Sequence, residues 1–199
     1  MDIKKQGKAM NIPEIALLDF DFHTHRTDTL PGKGIVCLGK ETILHDASTW
    51  LPQKGGYYAA GVHPWWTADA GFDLEAYCRG MEALLQHPEV VQVGECGIDR
   101  LRGGALELQQ RVMAKMVETS ETAGRPMTIH CVKAFDLLLK IHKDLKPQQK
   151  WTIHGFRGNA TLAQQLLDRG MDLSFGKHFN PEAWDTTPPD RRHRESDAE

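Results

Sequence analysis

The sequence has few cysteines, and none of them form a Cys-x-x-Cys pair: the four are Cys37, Cys78, Cys96 and Cys131. The N-terminus also has no apolar core of the kind found in a secretory signal peptide. Both absences argue against a disulfide-stabilised secreted protein. We therefore expect a reduced, cytoplasmic protein.

Long apolar runs and an excess of positive charge are missing as well. No apolar run approaches the roughly 18 residues of a membrane-spanning helix, so we expect a soluble protein with no membrane partner. The formal net charge is −3, so no general positive field attracts nucleic acid. A phosphate-containing substrate would need local cations, and bound metal ions would supply them.

A glycine-rich first turn is absent, which argues against a nucleotide-binding doubly wound sheet. The 199 residues instead alternate between strand and helix patterns from end to end, which predicts a parallel sheet in one domain. Strand patterns cover 18–25, 34–38, 42–44, 57–62, 90–99, 127–130, 151–154 and 171–175, with the pieces at 34–38 and 42–44 both lying in the second strand region. Helical patterns cover 46–51, 73–86, 107–123, 134–145 and 160–169.

These patterns predict seven strands, and an eighth is expected within 188–197, where basic and imidazole side chains replace the usual apolar ones. Eight strand-helix units favour a compact (β/α)8 TIM barrel, either complete or incomplete after the eighth strand. Residues 1–12 are polar and predict an N-terminal leader, so residues 13–199 would form a single barrel domain.

The strand at 18–25 ends with His23 and His25. Side chains two positions apart on a strand share one face, so both imidazoles can bind the same metal ion. Neutral histidine is the commonest metal ligand in proteins. The alternative is that the two rings are merely exposed at a strand end.

Further polar side chains follow the other predicted strands: His63, Glu95, His130 and His154. In a parallel barrel the carboxyl ends of all strands meet at one rim, where active sites lie. Nitrogen and oxygen ligands without thiolates suit Zn²⁺, Mn²⁺ or Mg²⁺, and one carboxylate can bridge two ions. Alone, each histidine could bond a neighbouring carbonyl, and Glu95 could pair with a lysine. Cys96 and Cys131 point away from the rim, so we expect them to pack in the core.

Taken together, these residues resemble the TatD-family deoxyribonucleases of the metal-dependent amidohydrolase superfamily. The resemblance extends from residue 19 to residue 197. Five motifs match in order: Asp21-x-His23-x-His25, Gly61-Val62-His63-Pro64, Val93-Gly94-Glu95-x-Gly97-Ile98-Asp99, Ile129-His130, and His154-Gly155-Phe156-x-Gly158. The family's closing Glu-Thr-Asp is similar to Glu195-Ser196-Asp197.

The resemblance implies two divalent metal ions, Mg²⁺, Mn²⁺ or Zn²⁺, bridged by Glu95. The first ion would be held by His23, His25, Glu95 and Asp197, and the second by Glu95, His130 and His154. Asp197 would also be the general base. His63 and Arg26 would bind substrate, with His63 on the phosphate, and Asp99 would have a supporting role.

The implied activity is hydrolysis of DNA phosphodiester bonds, with single-stranded DNA or strand ends as substrate. Trp65 or Trp66 would then stack on a base or shield the barrel lip. One alternative is a metal hydrolase of a small ester, amide or phosphoester, because substrate choice lies in the loops. The other is a degenerate, metal-poor binding protein. Family members continue past the last aspartate with a further helix, whereas this sequence ends at Glu199, so Asp197 is either held in place or frayed.

Overall fold

Eight parallel strands are hydrogen-bonded in chain order, from β1 to β8, in the computed structural model, which describes residues 19–197. This order confirms the predicted barrel, whereas the predicted leader at 1–12 lies outside the described residues. The strands are β1 (Asp21–Thr24), β2 (Gly34–Cys37), β3 (Tyr57–Ala60), β4 (Val90–Asp99), β5 (Met127–Val132), β6 (Trp151–Ile153), β7 (Asp172–Phe175) and β8 (Arg192–Arg194).

The charged eighth strand pairs with β7, where Arg192 lies opposite Leu173. Its basic residues are accommodated on an aromatic surface: the guanidinium of Arg192 lies 4.0 Å from the ring centroid of Trp184, and that of Arg194 lies 5.0 Å from it. Such cation–π contacts let arginine occupy strand positions that are usually apolar.

The short segment after β8 closes the barrel against β1. The main-chain N–H of Ser196 donates to Asp21 Oδ1 over 2.9 Å, and that of Asp197 donates to the carbonyl oxygen of His23 over 3.1 Å. The ring of His193 also stacks on Phe22, with centroids 4.1 Å apart. The barrel is therefore joined by side-chain and loop contacts at this edge.

Helices cover the outer surface of most of the sheet: α1 (Leu74–Leu84), α2 (Leu106–Ala123), α3 (Phe135–Leu145), α4 (Ala160–Leu167) and α5 (Pro181–Thr186). Short 3-10 helices span Pro64–Ala68 and Pro189–Arg191. Among residues 19–197, no helix has both the length and the apolar content to cross a membrane.

The predicted strand at 42–44 is wrong, because Thr42–Asp46 form a turn of π-helix. The helix predicted at 46–51 is also wrong, because residue 46 ends the π-helix and residues 47–49 form a turn. Ile43 is fully buried beneath α1, where a Cβ on Gly80 would lie 1.8 Å from the Ile43 carbonyl oxygen. A short apolar run is buried equally well in a strand or a helical turn, so periodicity cannot distinguish them.

Two glycines allow the central strands to approach closely just before Glu95. A Cβ on Gly61 would lie 2.6 Å from the Cα of Gly94, and a Cβ on Gly94 would lie 2.6 Å from the carbonyl oxygen of Thr128. Any larger residue would force β3, β4 and β5 apart. The close approach brings the carboxyl end of β4 between its neighbours.

Candidate metal centre

Five strands, the residues that directly follow them and the segment after β8 bring seven polar side chains together. The group has Glu95 at its centre and contains His23, His25, Glu95, His63, His130, His154 and Asp197. Five of these residues are buried, whereas Asp197 is exposed and His25 is partly exposed. All the ligand residues expected from the sequence therefore lie in one cluster.

One oxygen of Glu95 faces the histidines of β1 and the loop that follows it. Glu95 Oε2 lies 3.2 Å from His23 Nε2 and 3.3 Å from His25 Nε2. The carboxylate of Asp197 approaches the same two rings from the segment after β8, with Oδ1 3.6 Å from His23 Nε2 and 3.9 Å from His25 Nε2. His23, His25 and Asp197 therefore converge on one side of Glu95.

The other oxygen of Glu95 faces three different histidines. Glu95 Oε1 lies 2.7 Å from His130 Nδ1, 2.8 Å from His154 Nε2 and 3.0 Å from His63 Nε2. A single buried carboxylate thus separates two groups of nitrogen atoms. This arrangement is the one required of a carboxylate that bridges two cations.

Asp197 is held in place by its neighbours. Besides the main-chain bond from Asp197 to His23, the hydroxyl of Ser196 donates to Asp21, and the side chain of Glu195 is fully buried. Asp197 has a left-handed backbone with φ of 48°. Left-handed conformations of non-glycine residues persist only where the surroundings enforce them.

Three of the clustered histidines have a further side chain behind the ring. Asp99 Oδ2 lies 3.2 Å from His130 Nε2, Glu195 Oε1 lies 3.5 Å from His154 Nδ1, and Cys37 Sγ lies 3.2 Å from His23 Nδ1. Metal-binding histidines usually donate their second N–H to such a group, which orients the ring and fixes its tautomer. In each ring the remaining nitrogen faces Glu95.

His63 has the opposite arrangement. Its Nδ1 accepts a hydrogen bond from the main-chain N–H of Trp65 over 3.1 Å, and burial lowers the pKa of the ring, which is therefore neutral. A neutral imidazole with an accepting Nδ1 carries its proton on Nε2. His63 Nε2 is thus a hydrogen-bond donor rather than a lone pair available to a metal ion.

The charges in the cluster are strongly coupled. Burial alone would raise the pKa of Glu95, but the charge on His154 and hydrogen bonds from His130, His154 and His23 hold that pKa well below its usual range. Burial opposes protonation of His154, yet the Glu95 and Glu195 carboxylates raise the pKa of this ring well above its usual value. The ionised carboxylates of Glu95 and Glu195 therefore favour positive charge between them.

The donor set fits divalent metal ions. Three atoms of the centre are buried with no hydrogen-bond partner in the described part of the chain: His23 Nε2, His154 Nδ1 and Glu195 Oε2. Of these, His23 Nε2 lies close to two carboxylate oxygens. Ligands around a metal ion with bonds of about 2.1 Å lie roughly 3.0–3.4 Å apart without bonding to each other. The spacing around Glu95 Oε2 matches this requirement.

Arg26 forms a different contact. Its guanidinium donates to Asp28 through Nε, at 3.0 Å, and through Nη2, at 2.9 Å, on an exposed loop. To bind substrate, Arg26 would have to leave this pair, so its role stays a prediction. Trp66 stacks on Tyr77, which supports a shielding role for this ring, whereas Trp65 donates its indole N–H to Asp99 over 2.6 Å and is 40% exposed.

Two residues of the centre could not be assigned from sequence patterns. Cys37 lies within a strand that shows only apolar character, and Glu195 was recognised only as part of a motif whose aspartate carries the expected role. The Glu195 carboxylate accepts a hydrogen bond from the main-chain N–H of Gly155 over 2.5 Å. Both residues support histidines from distant parts of the chain.

Comparison with known families identifies the family of this chain. The profile of the family described as "TatD related DNase" matches residues 18–198. The chain belongs to the TatD family. Its eight-stranded barrel also resembles two solved TatD-family structures, a TatD homologue from Escherichia coli K12 and a hydrolase from Entamoeba histolytica. The first has a TM-score of 0.62 at 22% identity, covering 80% of this chain and 68% of the other. The second has a TM-score of 0.63 at 22% identity, covering 82% and 60%.

Curated relatives of this TatD-family chain include nucleases. A protein of Klebsiella pneumoniae named "3'-5' ssDNA/RNA exonuclease TatD" is 31% identical over 59% of this chain and 44% of its own length. An "uncharacterized metal-dependent hydrolase TatD" of Mycobacterium tuberculosis is 32% identical over 59% and 46%. A human "3'-5' RNA nuclease" is 29% identical over 70% of this chain and 17% of its own length. The chain spans less than half the length of the first two.

Proposed function

We propose that this TatD-family protein is a metal-dependent nuclease that hydrolyses phosphodiester bonds of single-stranded nucleic acid from a strand end. The observation that carries this proposal is the position of Glu95, whose two carboxylate oxygens face separate groups of histidines. Relatives that share the family are named as ssDNA/RNA exonucleases and as a metal-dependent hydrolase.

Two divalent ions fit the two sides of Glu95. His23, His25 and Asp197 would hold the first with Glu95 Oε2, while His130 and His154 would hold the second with Glu95 Oε1. Ions bound there would lower the pKa of water towards neutrality and neutralise the charge that grows on the phosphate. Nitrogen and carboxylate ligands of this kind suit Mg²⁺, Mn²⁺ or Zn²⁺.

The protein's own groups would handle protons and orient the substrate. Asp197 is the most exposed carboxylate of the cluster, with a side chain 40% accessible, so it can accept a proton from an attacking water molecule. His63 carries a proton on Nε2 and would donate it as a hydrogen bond to a phosphate oxygen in place of Glu95. No nucleophilic side chain is required.

The environment predicted from the cysteines is compatible with this function. All four are free thiols in the structure, and Cys37, Cys78 and Cys96 are buried. Free thiols are typical of reducing compartments. We propose a cytoplasmic setting on this basis.

A reconstitution assay tests the proposed function. Metal-stripped protein would receive Mg²⁺, Mn²⁺ or Zn²⁺ separately and would then be offered a single-stranded oligonucleotide, a blunt duplex and a panel of small esters and amides. We expect stepwise shortening of the single strand with at least one metal. Hydrolysis of small esters alone would favour the rival metal hydrolase, and less than one bound ion per chain would favour a metal-poor binding protein.

A further inference from the structure

Two pockets open on either side of Asp197. The larger has a volume of 680 Å³ and the smaller 360 Å³. Gly155, Arg157 and Asp197 line both, so the carboxylate of the proposed catalytic base lies at the boundary between them. A strand whose scissile phosphate sits beside Asp197 would therefore extend into a pocket on each side.

The larger pocket has an apolar wall formed by Val132, Phe135 and Leu162. Phe135 is braced edge-on by the buried ring of Phe156, with centroids 6.0 Å apart. Apolar and aromatic walls with a few polar groups at the mouth are typical of small-molecule sites, whose volumes are roughly 300–1,000 Å³. This pocket has the size and surface needed for the base and sugar of one nucleotide.

The smaller pocket has a different character. Lys177 and Arg157 line it together with Glu195 and Asp197, the two carboxylates that belong to the metal centre. Because Asp197 would face a bound cation, while Glu195 lies beside His154 and accepts from Gly155, Lys177 and Arg157 supply positive charge for a further anion. The chain as a whole carries a net charge of −3, so this local charge is what a phosphate would meet.

The backbone around the larger pocket is unusual. In the part of the chain that the structure describes, non-glycine residues with left-handed φ angles are Lys133, Lys146 and Asp197. Lys146 is the C-cap of α3, an ordinary position for this conformation. Lys133 and Asp197 line the larger pocket. Arg100 holds Lys133 in place, because it donates to the Lys133 carbonyl oxygen over 2.9 Å and also pairs with Asp136.

We infer that the larger pocket receives the base and sugar of the terminal nucleotide and that Lys177 in the smaller pocket binds the next backbone phosphate. This inference rests on the proposed function and names the groups that select a polynucleotide over a small ester. Val132, Phe135 and Leu162 recognise the terminal base, and Lys177 with Arg157 recognises the phosphate beyond the scissile bond.

Removing the terminal base tests the larger pocket. Single-stranded oligonucleotides with a normal terminal nucleotide would be compared with oligonucleotides whose terminal nucleotide is abasic, at the end from which the protein degrades the strand. We expect kcat/KM to fall about 10-fold for the abasic substrate, because stacking and apolar contact with one base contribute this much in single-strand binding. Leu162→Ala should reduce the ratio of kcat/KM between the normal and the abasic substrate. Leu139→Ala, a matched change on α3, should leave this ratio unchanged.

Substrates with one and with two phosphates test the smaller pocket. A trinucleotide with two phosphates can reach Lys177, whereas a dinucleotide with one phosphate cannot. Lys177→Gln should reduce kcat/KM several-fold for the trinucleotide only, and Lys143→Gln on the exposed face of α3 should change neither. Fluorescence anisotropy with metal-stripped protein should show the same weakening of binding to a labelled trinucleotide.

The possible failures are distinct. The inference is overturned if the wild type degrades oligonucleotides with normal and abasic terminal nucleotides equally well. It is also overturned if Lys177→Gln affects the dinucleotide and the trinucleotide alike. In both cases the proposed nuclease function is unaffected. If the wild type hydrolyses none of the oligonucleotides with any of the three metals, the proposed function itself is wrong.

Discussion

The main-chain N–H of Asp197 donates a hydrogen bond to the carbonyl oxygen of His23, 3.1 Å away. This bond joins the segment after the last strand to the first strand of the barrel. It also places the Asp197 carboxylate beside the imidazoles of His23 and His25. The residue is therefore in position to act as a ligand and as a base.

Replacing Asp197 with asparagine should reduce the rate of hydrolysis by roughly 10²–10⁴-fold, the usual worth of a general acid or base. The substitution keeps the size of the side chain and removes its charge. The pH–rate profile of Asp197→Asn should lack the limb that reports deprotonation of the general base. Asp190→Asn, at an exposed position, is the control, and a pH–rate profile unchanged by Asp197→Asn would remove Asp197 from the mechanism.

Replacing Glu95 with alanine should abolish hydrolysis and lower the number of bound metal ions, because both groups of histidines lose their shared carboxylate. Circular dichroism should show the fold retained, since Glu95 lies at the rim rather than in the apolar core. Metal content per chain is the second measurement. Glu107→Ala, in the exposed first turn of α2, should change neither, and wild-type turnover by Glu95→Ala would refute the bridging role.

Replacing His63 with alanine should raise KM for oligonucleotides and leave the metal content unchanged, because Nε2 of this ring carries a proton. His63→Gln places an amide donor near the same position and should recover part of the affinity. Measured loss of metal from His63→Ala would instead show that His63 is a ligand.

Replacing Cys37 with alanine should weaken metal binding by about 10–100-fold, the usual effect of removing a group that orients a metal-binding histidine. The thiol lies 3.2 Å from His23 Nδ1, and Cys37→Ser should restore part of the affinity because its hydroxyl can also accept this N–H. Competition with a chelator measures the change. Cys78→Ala, which alters a buried thiol on α1, is the control. Equal metal affinity of Cys37→Ala and Cys78→Ala would contradict the role of Cys37 in orienting His23.

Replacing Asp172 with asparagine should make the free energy of unfolding vary less with pH in the acid range. Burial opposes ionisation of this carboxylate, but hydrogen bonds from His193, Arg191 and Lys150 lower its pKa below the usual value. A lowered pKa stabilises the fold above the unfolded pKa of about 3.9, and the benefit is lost as pH falls through the folded pKa.

At pH 7 we expect Asp172→Asn to lower the free energy of unfolding by about 1–3 kcal/mol, the range for hydrogen bonds to a charged group. The difference from the wild type should shrink below pH 4, which urea unfolding at several pH values would show. A constant difference from pH 7 to pH 3 would mean that the charge of Asp172 contributes nothing.

Much of the centre could be predicted because parallel strands place their carboxyl ends at one rim. The strand expected at 90–99 has those bounds in the structure, but Glu95 is its sixth residue, so the carboxylate lies within β4 rather than at the strand end where we expected it. His130 and His154 follow from the rule for strand ends on β5 and β6. Local periodicity is enough for these residues, since each depends only on where its own strand ends.

The supporting groups could not be predicted because they depend on contacts between distant segments. Glu195 reaches Gly155 over a separation of 40 residues, and Cys37 reaches His23 from the neighbouring strand. The tautomer of His63 likewise depends on one main-chain N–H two residues later. Such contacts become defined only when the barrel is assembled.

The eighth strand shows a different limit. Its basic residues contradict the usual composition of a buried parallel strand, but β8 is only partly buried, and Arg192 and Arg194 lie over the ring of Trp184 in α5. Helix α5 itself has six residues, too few for a helical period to stand out in the sequence.

The bonds that close the barrel also set an order of assembly. Ser196 meets Asp21 across 175 residues of chain, so this contact pays the loop-closure entropy of almost the whole described chain. During synthesis the earlier strand-helix units can collapse as they emerge, but Asp197 cannot join His23 until the ribosome has released the end of β8. Affinity for the first proposed ion, which uses Asp197, should therefore appear only after β8 has been synthesised, and its appearance would time the closure of the barrel.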